Sequence, residues 1–154
     1  MMVKVLFVCH GNICRSPMAE FVMKDIVKKN GLEDCFEIAS CATSREEIGN
    51  SVHYGTRSKL AEVGISCSGK YARQLTVQDG EYYDYLIGMD DWNMYNMKRM
   101  LPSKYHKKMY MLLDKTDKPR DIADPWYTGN FDLTFQQVLL GCQKWYEYLI
   151  EKGL

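Results

Sequence analysis

An apolar run, Val5 to Val8, stops abruptly at Cys9, and Gly11, Asn12, Arg15, Ser16 and Pro17 follow before the chain changes character. From Met18 onward, Met18, Ala19, Val22, Met23, Ile26 and Val27 return at three- and four-residue steps, which predicts a helix ending near Asn30 and Gly31. The stretch therefore reads as strand, tight loop, helix. Gly11 and Asn12 are the residue types that most readily take positive φ, so the backbone between Cys9 and Arg15 can curl until its N–H groups converge. Convergent N–H groups opening onto a helix N-terminus form an anion cradle.

A thiol at the rim of that cradle has its thiolate favoured by the helix end and by nearby positive charge, which makes it a nucleophile. Arg15 can bind two oxygens of a phosphoryl group in bidentate fashion. Cys-x5-Arg then describes a phosphate pocket with Cys9 as its built-in nucleophile, in which His10, Gly11, Asn12, Ile13 and Cys14 supply the loop. The competing reading is a structural cysteine at a strand end and a surface arginine. The strand before, the Gly-Asn pair inside and the helix beyond favour the pocket.

A length of 154 residues suits one domain, residues 1–154, with a core that needs no covalent staples. Twenty Lys and Arg balance twenty Asp and Glu, so no broad basic footprint argues for nucleic acid or a membrane surface, and anion binding must be local. The N-terminal apolar run is too short and too interrupted for a secretory signal, and no stretch approaches the roughly 20 apolar residues of a membrane span. The six cysteines, Cys9, Cys14, Cys35, Cys41, Cys67 and Cys142, have irregular spacing and read as reduced thiols of a cytoplasmic protein. His10, His53 and His106 show no ligand spacing, so no metal site and no cofactor are expected.

Further along, Phe36 to Ser40 reads as a second strand after a turn at Glu33 and Asp34, and Thr43 to Ser51 as a polar loop. A helix is expected from about Val52 to Gly64, an irregular segment over Ser66 to Tyr71, and a turn with a short helical piece to Asp79. Tyr83 to Met89 gives a third strand, and Asp90 stands as the N-cap of a helix that stops at Pro102. Lys108 to Leu113 gives a fourth strand, and Asp114 to Gly129 a long loop. The last helix is carried by Phe135, Val138, Leu139, Cys142, Trp145, Tyr146 and Leu149. Strands alternating with helices imply an α/β fold, a single domain with a four-stranded parallel sheet and helices on both faces. Ligands in such sheets bind beyond the carboxyl ends of the strands, where Cys9 lies.

Attack on a phosphate monoester expels an alkoxide or phenoxide, which needs a proton. Among Asp114, Asp117, Asp121 and Asp124, the last is the best candidate, because Pro125 restricts its backbone and Trp126 and Tyr127 set aromatic faces beside it. Taken alone, Asp-Pro-aromatic-aromatic reads as only a turn.

CHGNICRSPMAE resembles the active-site loop of the low-molecular-weight protein tyrosine phosphatases, and Asp124-Pro125-Trp126-Tyr127 resembles their acid loop. The likeness extends over nearly the whole chain. It implies a flavodoxin-like strand order 2-1-3-4 and hydrolysis of phosphotyrosine in proteins, or of small aryl phosphates, through a phosphocysteine. Cys9, Arg15 and Asp124 would be catalytic, and inorganic phosphate would be the product. Ser16 can donate to the thiolate or cap the helix, and both can hold together. Asn12 fixes the loop through positive φ or its side-chain amide, and Ser40 aligns with a serine that supports that asparagine. Cys14 can trap an oxidised Cys9 as a reversible disulfide or simply fill space. The chain departs from the pattern at Lys70, near a histidine of some relatives, at Ala42 in place of a usual glycine, and at Glu46 in place of a pocket-lining aromatic.

Three other readings compete. Arsenate reductases on this scaffold need two further cysteines after the third strand, and none lies between Cys67 and Cys142. Protein-arginine phosphatases of this type carry Thr where Ile13 offers an apolar wall to a phenyl ring. A non-catalytic phospho-ligand module would have no use for both a nucleophile and a distant acid.

Overall fold

In the computed structural model, which describes residues 2–153, the apolar run becomes an inner strand. β1 (Val3–Cys9) pairs in parallel with β2 (Phe36–Ala42) on one side and β3 (Tyr85–Gly88) on the other, and β4 (Met109–Met111) pairs with β3. The order β2-β1-β3-β4 is the expected one. An inner parallel strand is covered on both faces and can be apolar at every position, and Val5 to Val8 are all fully buried.

Alternation along β1 divides the core into two layers. Val5, Phe7 and Cys9 face the layer built with α1 (Arg15–Lys29) and the long terminal helix Phe131–Glu151, including Met18, Met23, Val138 and Trp145. Leu6 and Val8 face the opposite layer, with Leu75, Met97, Leu101 and Tyr105. Cys9 thus ends its strand pointing toward the face that α1 covers. Met97 and Met109 fill that second layer.

Between these lie α2 (Tyr54–Glu62), α3 (Val77–Tyr82), α4 (Asp91–Met100) and the single turn α5 (Pro125–Thr128), with α6 spanning Phe131–Glu151. Several boundaries differ from expectation. α1 begins at Arg15, a full turn before Met18. The third strand starts at Tyr85, because Tyr83 closes α3 with its N–H on the Asp79 carbonyl and buries its ring. The fourth strand ends at Met111, because the Asp114 carboxylate takes the Met111 N–H at 2.8 Å and turns Leu112–Lys115 into a 3-10 segment. α6 starts at Phe131, capped by the Asn130 side chain, which accepts the Leu133 N–H at 3.0 Å. With β1 inside and β3 beyond it, the chain crosses from one side of β1 to the other, and the carboxyl ends of these two strands open the crevice where such sheets bind ligands.

Candidate active site

The direction of Cys9 decides what its sulfur meets. Because α1 starts at Arg15, one amide of the loop and one of the first helical turn aim at Sγ, which receives the Asn12 N–H at 3.3 Å and the Ser16 N–H at 3.4 Å. The Ser16 hydroxyl lies 3.0 Å away. Donors converging on sulfur favour negative charge there. Of the two roles open to Ser16, capping is not the one observed: the N-cap position is Cys14, and Ser16 sits inside the first turn with its hydroxyl on the sulfur.

The curl of the loop rests on Asn12, with φ 59°, the one non-glycine residue at positive φ among those described. Such a backbone costs an L-residue about 1–2 kcal/mol, and the side chain offsets that cost. Its amide donates to Ser16 Oγ at 2.8 Å and Ser40 Oγ at 2.9 Å, and its Oδ1 accepts the Arg73 N–H at 3.2 Å. Both roles considered for Asn12 therefore operate together. Ser40 in turn donates to Glu20 Oε1 at 2.6 Å, and Glu20 is paired with Lys24 and Lys70. Lys70 Nζ also donates to the Ser40 carbonyl at 2.7 Å. Burial lowers the Lys70 pKa, and the Glu20 charge opposes that. The lysine thus stands behind the loop as a second-row support for Ser40. Ala42 pairs with Cys9 at the end of β2 and exchanges backbone bonds with Arg73 and Leu75, away from the cavity.

Arg15 is 2% exposed, and its Nη1 is held by Asp90 Oδ2 at 2.6 Å and by the Ile122 carbonyl at 2.8 Å. Nη2 reaches Asp124 Oδ2 at 3.4 Å. Burial by itself would lower the guanidinium pKa, but the charges of Cys9 and Asp90, with the Asp90 hydrogen bond, raise it above its ordinary value. Asp90 is the functional residue that the sequence reading missed. The sequence marks it only as an N-cap, and its Oδ1 does accept the Asn93 N–H at 2.8 Å, while its second oxygen anchors Arg15. The signal available was its place just after β3, at the crevice.

One cavity gathers Cys9, Arg15 and Asp124 with the loop residues His10, Gly11, Ile13 and Cys14 and the aromatics Trp126 and Tyr127. Asn12, Ser16 and Ser40 lie behind it as supports rather than in its lining. Asp124 caps α5, its Oδ1 accepting the Trp126 N–H at 3.0 Å, with Pro125 at the first helical position. The long loop thus contains a helical turn, and the carboxylate that caps it lines the cavity. Glu46 and Glu47 also line the cavity, and Glu46 pairs with His10, so the rim carries charge where an aromatic was the family expectation. Burial, with the facing charges of Cys9 and Asp124, pushes the Cys14 thiol up to about 12. All six cysteines are free thiols.

A family model described as low molecular weight phosphotyrosine protein phosphatase matches residues 4–153. The chain is 41% identical over 145 residues to the low molecular weight protein-tyrosine-phosphatase YfkJ of Bacillus subtilis, covering 93% of each chain. It superposes on the crystal structure of YfkJ with a TM-score of 0.97 over 100% of this chain and 98% of the other, at 38% identity. The low molecular weight protein tyrosine phosphatase SP-PTP from Streptococcus pyogenes gives a TM-score of 0.85 at 45% identity, over 96% of this chain and 93% of that one.

Replacing Asn12 by Ala removes three hydrogen bonds while keeping a Cβ in a left-handed backbone. Asn12→Ala is expected to lose about 2–4 kcal/mol of stability, read as a drop in melting temperature of roughly 5–15 °C. It should also weaken competitive inhibition by inorganic phosphate by at least about tenfold. An unchanged melting temperature and inhibition constant would remove Asn12 from its place at the centre of the loop.

Proposed function

The chain belongs to the low molecular weight phosphotyrosine protein phosphatase family, and we propose that it carries out protein-tyrosine phosphate hydrolysis with Cys9 as nucleophile, Arg15 as phosphoryl clamp and Asp124 as proton donor. The observation that carries this reading is that Arg15 and Asp124, separated by 109 positions in the chain, line one cavity with Cys9 and lie 3.4 Å apart. A phospho-binding module has no need of that convergence. Residues 1–154 are read as one phosphatase domain, supported by the family match over residues 4–153.

In the first step the Cys9 sulfur attacks phosphorus in line, forming S–P as the P–O bond to the phenol breaks. The amides of residues 10 to 15 and the Arg15 guanidinium stabilise the equatorial oxygens, and Asp124 delivers its proton to the departing oxygen. In the second step Asp124, now a carboxylate, takes a proton from water, which attacks phosphorus and breaks S–P. Inorganic phosphate leaves. The Ser16 hydroxyl and the two amides on Sγ stabilise the returning thiolate. Asp90 supports the clamp by holding Nη1, which leaves the rest of the guanidinium for the phosphoryl group.

Ile13, Trp126 and Tyr127 supply apolar and aromatic walls, which suit the ring of phosphotyrosine or of a small aryl phosphate better than a phosphoguanidine. Six free thiols support a reducing compartment and hence a cytoplasmic location. Among the described residues no helix is long and apolar enough to cross a membrane.

Cys14 is assigned a protective role toward Cys9. A peroxide oxidises the Cys9 thiolate to a sulfenic acid, the Cys14 thiolate attacks that sulfur, an S–S bond forms and hydroxide leaves as water. The support is that both cysteines line one cavity and that the charge of Cys9, after burial, helps raise the Cys14 thiol.

Cys9→Ser is expected to abolish turnover of an aryl phosphate while inorganic phosphate still binds, and rapid quench of the native enzyme should trap a phosphocysteine. Full turnover by the variant would rule out the covalent route. Asp124→Ala should lower kcat/KM by roughly 10²–10⁴-fold on phenyl phosphate and far less on dinitrophenyl phosphate, whose leaving group needs no proton. Equal losses on both would remove Asp124 as the acid. With the Cys14 thiol at about 12, only its thiolate fraction reacts. After peroxide treatment, disulfide closure should therefore accelerate by roughly tenfold per pH unit between pH 6 and 8. A flat profile measured by mass spectrometry would contradict that assignment.

A further inference from the structure

The acid and the nucleophile sit on different loops, and His53 touches both. Its backbone N–H donates to the Ile13 carbonyl of the phosphate loop at 2.9 Å. Its ring stacks on Phe131, with centroids 5.2 Å apart and planes 11° apart, and meets Trp126 edge-on at 5.6 Å. Trp126 follows Asp124 by two residues, and Phe131 is the first residue of α6, where the acid loop is tied down. Phe131 also packs against Ile13, Cys14 and Ala72.

The surroundings are shaped to admit that stack. A Cβ at Gly55 would lie 2.5 to 2.7 Å from ring carbons of Phe131, so the ring can occupy its place only because that position has no side chain. Nδ1 of His53 accepts the Gly55 N–H at 3.0 Å and caps α2. That cap alone does not account for a histidine, since Asn, Asp, Ser or Thr cap better.

We propose that His53 is a positioning residue whose ring, wedged between Phe131 and Trp126, sets the acid loop at its working distance from the phosphate loop. The inference rests on Asp124 being the acid. Stacked aromatic pairs contribute beyond their buried area, and a displacement of about 1 Å in a reacting group can cost on the order of a hundredfold in rate. Loosening the wedge withdraws the proton donor while leaving the cysteine loop in place.

The test compares kcat/KM on phenyl phosphate and dinitrophenyl phosphate for His53→Asn, His53→Phe, Phe131→Leu and Asp124→Ala. His53→Asn keeps a capping oxygen and loses the ring; it should fall roughly tenfold on phenyl phosphate and less than about twofold on the activated ester. His53→Phe keeps the ring and loses the cap, and should hold both activities within about threefold. Phe131→Leu should behave like His53→Asn, and reports independently if a His53 variant does not fold. Retained activity in His53→Asn with loss in His53→Phe would make the residue a cap and overturn the proposal, as would losses of equal size on both substrates. If Asp124→Ala shows the leaving-group dependence and the His53 and Phe131 variants do not, the positioning role alone falls. If Asp124→Ala shows none, the acid assignment fails and the proposal falls with it.

Discussion

A left-handed turn at Asn12 is the constraint on which the site depends. Without it the amides of the loop would not face inward, and the sulfur of Cys9 would lack two of its donors. The conformation is unfavourable by itself and persists because Ser16, Ser40 and Arg73 absorb both ends of the asparagine amide. Those partners come from α1, β2 and the segment before α3, so the loop is locked only once the sheet and its helices have assembled. Glu20 and Lys70 extend the lock by holding Ser40 from behind, in a buried network where each polar group has a partner.

The second dependence is the assembly of charge across the crevice. Arg15 is almost fully buried, and an unpaired guanidinium there would be costly. Asp90 and the Ile122 carbonyl satisfy one nitrogen, which also fixes the direction of the other. A single carboxylate therefore caps α4 with one oxygen and orients the Arg15 guanidinium with the second. The segment carrying Asp124 arrives from the far end of the chain, and aromatic contacts among His53, Phe131 and Trp126 hold it together with the Arg15 side chain, which reaches the Ile122 carbonyl and Asp124. The two groups also meet directly, Arg15 Nη2 lying 3.4 Å from Asp124 Oδ2.

Much of this was legible locally. The Val5–Val8 run, the Gly-Asn pair and the Cys-x5-Arg spacing implied strand, curl and anion cradle, because each follows from near-neighbour sterics and donor geometry. Asp124 was legible through Pro125 and the two aromatics. Element ends were less so: Tyr83 was drawn into the second core layer and left the strand, and Asp114 captured the Met111 amide and shortened β4. These are side-chain choices made by distant packing, which periodicity does not encode. Asp90 is legible as the cap it is because capping is a local pattern, while its second partner, Arg15, lies 75 positions away.

The sequence by itself determined the chemistry: a cysteine at a strand end, a curled loop, an arginine at a helix start and an aspartate stiffened by proline. These are short-range properties set by φ preference, residue spacing and functional group. Tertiary structure decided which groups meet. The sheet order brought the carboxyl ends of β1 and β3 together, placed Glu20 and Lys70 behind Ser40, gave Asp90 to Arg15 and set Trp126 against His53. Contacts between residues far apart in the chain exist only when burial of both layers of the core has fixed the backbone, and no window of neighbouring residues carries that information.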